Sequence, residues 1–479
     1  MDSRSYLRAS GLAVFFSLLA TVAPAQRPPL QGQAEAITSK VGGRWGVLAW
    51  VVGQKDPLVA INADSVFTPA SNNKVFTSIW ALSVLGQDYR FPTDLLITGP
   101  IRGGVLEGDV VLRGSGDPAF GYPEFTGDDP MRPLRIMARR LKELGVRQVR
   151  GSVVGDPFIF DTIHVGPDWP RDTGGGAAAY APGVSGLPFQ RNLIAVEATP
   201  GPNGRPVIEL EPPVEVVPIE NRMHNGGGRG WAVRAPDSDT IEVRGSVAGR
   251  APHIYRIGVR RPALMTTDAL RAAMEQEGIQ IRGGVRLGHT PDDATLVHRH
   301  FSIPLKDMVH EMNHVSDNFF AEHLWKAAVA KTLGEGSYAR GGPASAIFYR
   351  RHARVPFGQL YQFDGSGLSD YDRITPNAMV RALIYANSAP FSQAFHASLP
   401  VGGQRGGTLD HMFRSGAAEG NLHAKTGYIN DVRTLSGYVT AKNGQLIAFS
   451  FLYNGRGTWP ARTAEEQLGQ MLADYDGAP

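Results

Sequence analysis

Apolar positions first gather at Trp45-Gly46-Val47-Leu48-Ala49-Trp50-Val51-Val52, a run that reads as a strand. A turn at 53–57 leads to a second short strand over 58–61. Thr68-Pro69 then sets a hydroxyl cap ahead of a proline at the first helical position. Val75, Ile79, Leu82 and Leu85 recur at near-helical spacing up to Gly86, which predicts a helix over 69–85 with one apolar face. From about 89 to 292 the pattern changes to short β-like runs at 95–97, 105–112, 148–154, 193–198, 207–210, 240–247 and 254–259, separated by Gly and Pro. Helices are expected at 133–144 and 265–278, and glycine-rich loops at 173–177 and 224–230. Helical spacing returns at 304–315, from 316 or 317 to 332, at 375–388 and at 462–474. Strands are expected at 422–429, 435–441 and 446–452, the last two joined by Asn443-Gly444 as a two-residue hairpin. The two ends of the chain thus share one character. Their strands are expected to pair in a single antiparallel sheet, with a β-rich insertion between.

Arg4 and Arg8 precede an apolar run from Leu12 to Ala23 that ends in Ala23-Pro24-Ala25. That is the layout of a cleaved secretory signal over residues 1–25, too short to span a bilayer comfortably. The expectation is an extracytoplasmic, periplasmic protein with no membrane anchor once the signal is removed. The 479 residues suggest about three domains at roughly 150 residues each. With no Cys, disulfides, thiolate metal sites and a Cys nucleophile are excluded. A net charge of +3 gives no footprint for nucleic acid. No phosphate loop is present, and Glu311-Met312-Asn313-His314 is not H-E-x-x-H, so neither a cofactor nor a metal is expected. His298 and His300 flank an Arg with no third ligand in view and read as exposed strand residues.

Three short segments carry chemistry. In Ser71-Asn72-Asn73-Lys74 the spacing puts a hydroxyl and an amine on one helix face. A Ser hydroxyl needs an adjacent base, and a Lys serves when burial lowers its pKa. Ser316-Asp317-Asn318, between two helices, offers a second hydroxyl and an amide. Lys425-Thr426-Gly427, on a strand, offers a cation and a hydroxyl for a carboxylate, with a Gly that lets a substrate near the backbone. Each is weak alone, since Ser, Asp and Asn are ordinary helix caps. Together, in this order and context, they form the set found in serine β-lactamases and penicillin-binding proteins.

The long gap between Lys74 and Ser316 narrows the resemblance. The chain resembles the D-alanyl-D-alanine carboxypeptidase/endopeptidase family of class C low-molecular-mass penicillin-binding proteins. Gly114-Ser115-Gly116-Asp117-Pro118, Asp364-Gly365-Ser366-Gly367-Leu368-Ser369, Ser398-Leu399-Pro400-Val401 and Gly407-Thr408-Leu409 match that family's wording as well. The resemblance implies an α/β (α+β) transpeptidase-like domain over 27–88 and 294–479. It implies an inserted domain over 89–172 and 262–293, and a nested β-rich domain over 173–261. It implies Ser71 as the acylated nucleophile, Lys74 as its base, Ser316 and Asn318 on the second wall, and Lys425 and Thr426 on the substrate carboxylate. The amides of Ser71 and of Tyr428, which follows Gly427, would form the oxyanion hole. The expected substrates are peptidoglycan stem peptides and cross-links, with β-lactams as covalent inhibitors.

One position departs from the family: Asp370 stands where an Arg is usual, which is expected to disfavour a second carboxylate on the substrate side chain. Asp156 and Phe160 are further candidate contacts from the insertion. The insertion holds none of the three motifs and is expected to be separable from acylation. The rival readings are a β-lactamase and a catalytically silent peptidoglycan-binding scaffold.

Overall fold

The first strands of the chain find their partners in its last strands. A computed structural model describes residues 29–127, 129–169, 180–181 and 183–477; the expected signal segment and the glycine-rich run 173–177 lie outside the described residues. One five-stranded sheet runs in the order Val59–Ile61, Arg44–Val51, Leu446–Asn454, Val432–Thr440, His423–Ile429. All its pairs are antiparallel, with Val47 opposite Phe451 and Lys425 opposite Ser436. Helices cover both faces. Trp45, Val47, Ala49 and Val51 join one core with Phe449, Phe451 and Leu468, while Leu48 joins the other with Leu452 and Tyr438. A sheet buried on both sides accounts for the near-continuous apolar runs in these strands.

The Asn443-Gly444 signal is right in place and wrong in type. Only Gly444 has positive φ (82°), and the Gly444 amide donates to the Ala441 carbonyl at 2.9 Å. A three-residue loop closes the hairpin, with Gly in the left-handed position.

The helix after Thr68 also starts differently. Ala70 takes a φ of +47°, Ala70–Asn72 forms a 3-10 turn, and the α-helix runs Asn73–Leu85. Thr68 does not cap it. Its amide donates to Asn454 Oδ1 at 2.9 Å, and its hydroxyl accepts from Arg373 at 3.1 Å. Ser71 therefore sits on a tight turn at the helix entrance, held against the sheet. Residues 73–82 are all buried rather than one-faced, because the helices Asn318–Leu333, Leu305–His314 and Pro376–Ser388 surround them.

In the insertion, the runs 105–112 and 148–154 each split at a glycine. Val105–Leu106 and Gln148–Val149 belong to a four-stranded sheet, while Val110–Arg113 and Val153–Asp156 belong to a five-stranded one. A Cβ on Gly108 would lie 1.9 Å from the Thr98 carbonyl oxygen, so the chain crosses between the sheets where only Gly fits. Two three-stranded sheets complete the insertion, Val207–Glu211 with Leu193–Thr199 and His253–Gly258, and Ile219–Asn225 with Ile241–Val247 and Gly230–Arg234. The expected loop at 224–230 is the link between two of these strands. Thr295–Phe301 pairs with Pro92–Ile97, so the expected boundary at 294 falls one strand too early. His298 and His300 lie on that strand half-buried, His300 against the Phe120 ring.

Among the described residues, three helices longer than a single turn escape the sequence pattern: Leu30–Thr38, Tyr338–His352 and Ser392–Ser398. Gly341-Gly342-Pro343 hides the second. Gly341 is there for packing, since a Cβ would lie 2.1 Å from the Trp325 ring. Gly341→Ala is expected to destabilise the protein by about 1–3 kcal/mol through overpacking, read as a lowered urea midpoint at unchanged slope.

Candidate active site

The 3-10 turn, the Ser316 corner and the sheet's edge strand His423–Ile429 meet around a cavity of about 420 Å³, lined by Ser71, Ser316, Asn318, Thr408, Thr426 and Tyr428. Two lysines lie buried behind it. Lys74 Nζ is 2.9 Å from Ser71 Oγ, 2.6 Å from Asn318 Oδ1 and 2.8 Å from the Ser366 carbonyl. Burial brings its pKa from 10.5 down to about 8, against the opposing pull of Asp364 and Glu322. Lys425 Nζ is 2.9 Å from Ser316 Oγ and 2.8 Å from the Thr426 carbonyl. Burial, with Lys74 adding to it, holds the Lys425 pKa well below its usual value.

The acceptors around Lys74 are themselves built in. Glu322 accepts from the Ser366 amide at 2.7 Å and the Gly365 amide at 3.1 Å. Asp364 accepts from the Gly367 and Ser369 amides at 2.7 and 2.8 Å. These bonds shape the 364–369 turn so that the Ser366 carbonyl faces Lys74. Burial and Asp364 raise the Glu322 pKa to about 8, and the same causes hold Asp372 well above the usual carboxylate range. Glu322 lies one helical turn after Asn318, a spacing that points it at the same site. Neither it, Asp372 nor Asn73, whose amide donates to the Asp364 carbonyl at 2.8 Å, was singled out from the sequence. Asn73 sits in a motif that carries other residues, and Glu322 and Asp372 lie just beyond such segments.

Gly427 packs rather than leaving room for substrate. A Cβ there would lie 2.2 Å from Thr434 Oγ1 and 2.8 Å from the Pro69 carbonyl. Its absence lets the strand lie against the Ser71 turn, where Asn72 Nδ2 donates to the Lys425 carbonyl at 3.0 Å and Thr434 Oγ1 to the Pro69 carbonyl at 2.8 Å. Thr426 Oγ1 meets Thr408 Oγ1 at 2.8 Å, and Tyr428 is exposed at the rim. Ser316 has a φ of +64°, a strained conformation at the point where the chain turns into Asp317, the cap of the helix Asn318–Leu333.

Three expected contacts lie elsewhere. Asp370 is exposed and does not line the cavity, and Arg373 donates to its backbone carbonyl at 2.6 Å rather than pairing with its carboxylate. Asp156 spends its carboxylate on the Thr290 amide and hydroxyl at 2.8 and 2.6 Å and on the Phe158 amide at 3.2 Å. Phe160 is packed between Gly116 and Gly336. Asp156 ties two stretches of the insertion together, Phe160 seats the insertion against Gly336 and the His323 ring, and neither lines the cavity.

The insertion is not separable from the site. Arg191, whose backbone is left-handed at φ +59°, lines the cavity and pairs with Asp317 at 2.5 Å. The Tyr180 carbonyl accepts from Asn318 Nδ2 at 2.9 Å, Trp169 Nε1 donates to Asp364 at 2.8 Å, and Asp161 pairs with buried Lys326 at 2.6 Å. Nothing in the spacing of the three motifs announces these braces.

The chain matches the D-Ala-D-Ala carboxypeptidase 3 (S13) family across residues 33–475. It belongs to that family. A D-alanyl-D-alanine carboxypeptidase of Actinomadura is 32% identical over 90% of this chain and 81% of its own length. The D-alanyl-D-alanine carboxypeptidase DacB of Haemophilus influenzae is 24% identical over 87% of this chain and 86% of its own. The crystal structure of penicillin-binding protein 4 (DacB) from H. influenzae superposes with a TM-score of 0.77, at 24% identity, over 92% of this chain and 99% of that one. This S13 chain is thus a serine-type D-Ala-D-Ala carboxypeptidase, a hydrolase, on the penicillin-binding-protein fold.

Only neutral Lys74 can take a proton. With a pKa near 8, roughly a tenth of it is neutral at pH 7, against well under a thousandth at the ordinary value. In this carboxypeptidase the rate of penicillin acylation should therefore rise close to tenfold per pH unit below about 8 and level off above it, and Lys74→Arg should acylate at no measurable rate. Arg191→Ala leaves the Asp317 carboxylate buried and unpaired. It is expected to cost about 3 kcal/mol in urea unfolding and to slow acylation about tenfold as the Asn318 corner loosens.

Proposed function

We propose that Ser71 is the nucleophile of a D,D-peptidase acting on peptidoglycan stem peptides, and that Lys74 is its base. One observation carries this: a wholly buried amine with a lowered pKa lies 2.9 Å from a hydroxyl that opens onto a cavity. Neutral Lys74 takes the Ser71 proton as Oγ attacks the carbonyl of the D-Ala–D-Ala amide. The amides of Ser71 and Tyr428 receive the negative charge on the carbonyl oxygen, a contribution of about 3 kcal/mol per donor in comparable sites. The departing amine needs a proton, and the Ser316 hydroxyl, in line with Lys425 Nζ, relays it. Asn318 fixes the Lys74 ammonium formed in the first step and offers its amide to the acyl chain. Water then attacks the acyl ester, and the proton path runs in reverse to free Ser71.

The terminal carboxylate belongs beside Lys425, Thr426 and Thr408. Burial holds the Lys425 pKa below its usual value, and a carboxylate seated beside that amine raises it again and favours the ammonium form. A cross-link presents the same D-Ala-linked amide, so the chain acts as an endopeptidase at the same serine. β-Lactams acylate Ser71 and leave slowly. The 1–25 signal pattern supports action in the periplasm, and among the described residues no helix is long and apolar enough to cross a membrane.

Ser71→Ala is expected to abolish both fluorescent-penicillin labelling and release of D-Ala from isolated peptidoglycan, with the thermal midpoint within a degree or two of wild type. A penicilloyl adduct on the Ala variant would refute the assignment.

A further inference from the structure

The active-site cavity does not stop at Arg191. The same residue lines a second cavity of about 490 Å³ whose walls come from the insertion, with Gln190 beside Arg191 and with Glu197, Glu211, Ile254 and Arg256 beyond. Its floor is the strand Leu193–Thr199, which begins just past Arg191. Leu193, Ala195 and Glu197 alternate onto the cavity side, so the floor runs about 13 Å from Leu193 to Glu197. Glu211 and Arg256 stand opposite Ala195 from the two flanking strands.

The junction between the cavities is a strained and well-anchored feature. Gln190, Arg191 and Asn192 all have positive φ, at 47°, 59° and 58°. Three successive left-handed residues with side chains persist only where the surroundings fix them. Here the Phe189 amide donates to Asn192 Oδ1 at 3.1 Å, Asn192 Nδ2 to the Gly183 carbonyl at 2.6 Å, and the Gln190 amide to the Phe120 carbonyl at 3.1 Å. The guanidinium lies over the Tyr122 and Phe319 rings. It uses one nitrogen, Nη1, for both Asp317 and the Tyr122 hydroxyl. Among the described residues Nε and Nη2 have no hydrogen-bond partner, and that edge is the fork that grips a carboxylate with two parallel bonds.

Charge along the floor is ordered. Arg191 stands at the active-site end. Glu211 and Arg256 flank the middle of the floor at Ala195, and Glu197 closes the far end. The two acids have no salt bridge among the described residues, and Glu211 is hydrogen-bonded only by Gln190 Nε2 at 3.2 Å. Burial chiefly, against the opposing Gln190 hydrogen bond and Arg135 charge and with Glu197 adding to it, holds the Glu211 carboxyl above its usual value. An ammonium group placed between the two acids would relieve both.

We infer that this cavity is a second substrate site, which takes the other peptide of a cross-linked peptidoglycan pair with a carboxylate at Arg191 and a primary amine at Glu197 and Glu211. The inference rests on the D,D-peptidase reading of Ser71 and gives the insertion a role in choosing polymeric, cross-linked substrate over a free stem peptide.

The test uses the full-length protein and a cross-linked stem-peptide dimer with its amine free or N-acetylated. In Glu197→Gln/Glu211→Gln, kcat/KM for the free-amine dimer, divided by the penicillin acylation rate constant, is expected to fall about tenfold, through KM rather than kcat. On wild type the N-acetylated dimer should lose the same factor with no substitution made, and the double variant should no longer distinguish the two dimers. Calorimetry on Ser71→Ala should give the same tenfold difference in Kd between them. Equal affinity of wild type and variant for the free-amine dimer, or equal affinity of Ser71→Ala for both dimers, overturns the second site. If wild type cleaves neither dimer, the peptidase reading falls, and the calorimetric comparison still decides the second site.

Discussion

An amine taken out of water must be ringed by acceptors or give up its proton, and Lys74 is held between these outcomes. Its three acceptors, the Ser71 hydroxyl, the Asn318 amide oxygen and the Ser366 carbonyl, come from three separate stretches of chain. Each stretch is fixed by something else. The Ser71 turn is pinned to the edge strand through Asn72 and to the next strand through Thr434, the Asn318 corner is capped by Asp317, and the Ser366 turn is folded around Asp364 and Glu322. The buried acids keep the lysine from losing its proton altogether, since their charge opposes desolvation. Glu322 is itself pushed toward neutrality by the same burial. The result is a group able both to accept and to return a proton near pH 8, as an acyl-transfer cycle requires.

The insertion enters this balance directly. Asp317 is the cap that sets the Asn318 helix, and its carboxylate is satisfied by Arg191 from the nested β-rich module. Asp364 is met by Trp169, and Asn318 by the Tyr180 carbonyl. A module with none of the three motifs therefore closes one wall of the site and holds two of the residues that orient Lys74. This makes the catalytic domain dependent on its insertion, and it makes Arg191 the joint between chemistry and whatever the insertion binds.

The sequence exposes what repeats and what is spaced. The strands over 44–51 and 446–454 show as apolar runs because both faces of the sheet are covered, and the three motifs show because their spacing within each segment is short. What does not show is long-range. Gly341 reads as a helix breaker until the Trp325 ring is set beside it. The splits at Gly108 and Gly151 are invisible in an apolar run, because the sheet switch is decided by neighbours far along the chain. Gly427 reads as a space left for substrate, whereas the space is filled by the Ser71 turn. Asp156 and Phe160, plausible on the wording of their segment, are consumed by Thr290 and by the glycines of neighbouring loops. Asp370 departs from the family's residue type, yet its side chain stands outside the cavity, so its charge acts through solvent where screening is strong.

The most direct measurement is the titration of Lys74 itself, followed by the ¹³Cε shift of labelled lysine in the intact protein and assigned by the signal lost in Lys74→Arg. A midpoint near pH 8, moving when Glu322→Gln removes one of the opposing acids, is what the buried-amine account predicts. A midpoint near 10.5 that ignores Glu322 would mean that Lys74 is solvated and is not the base.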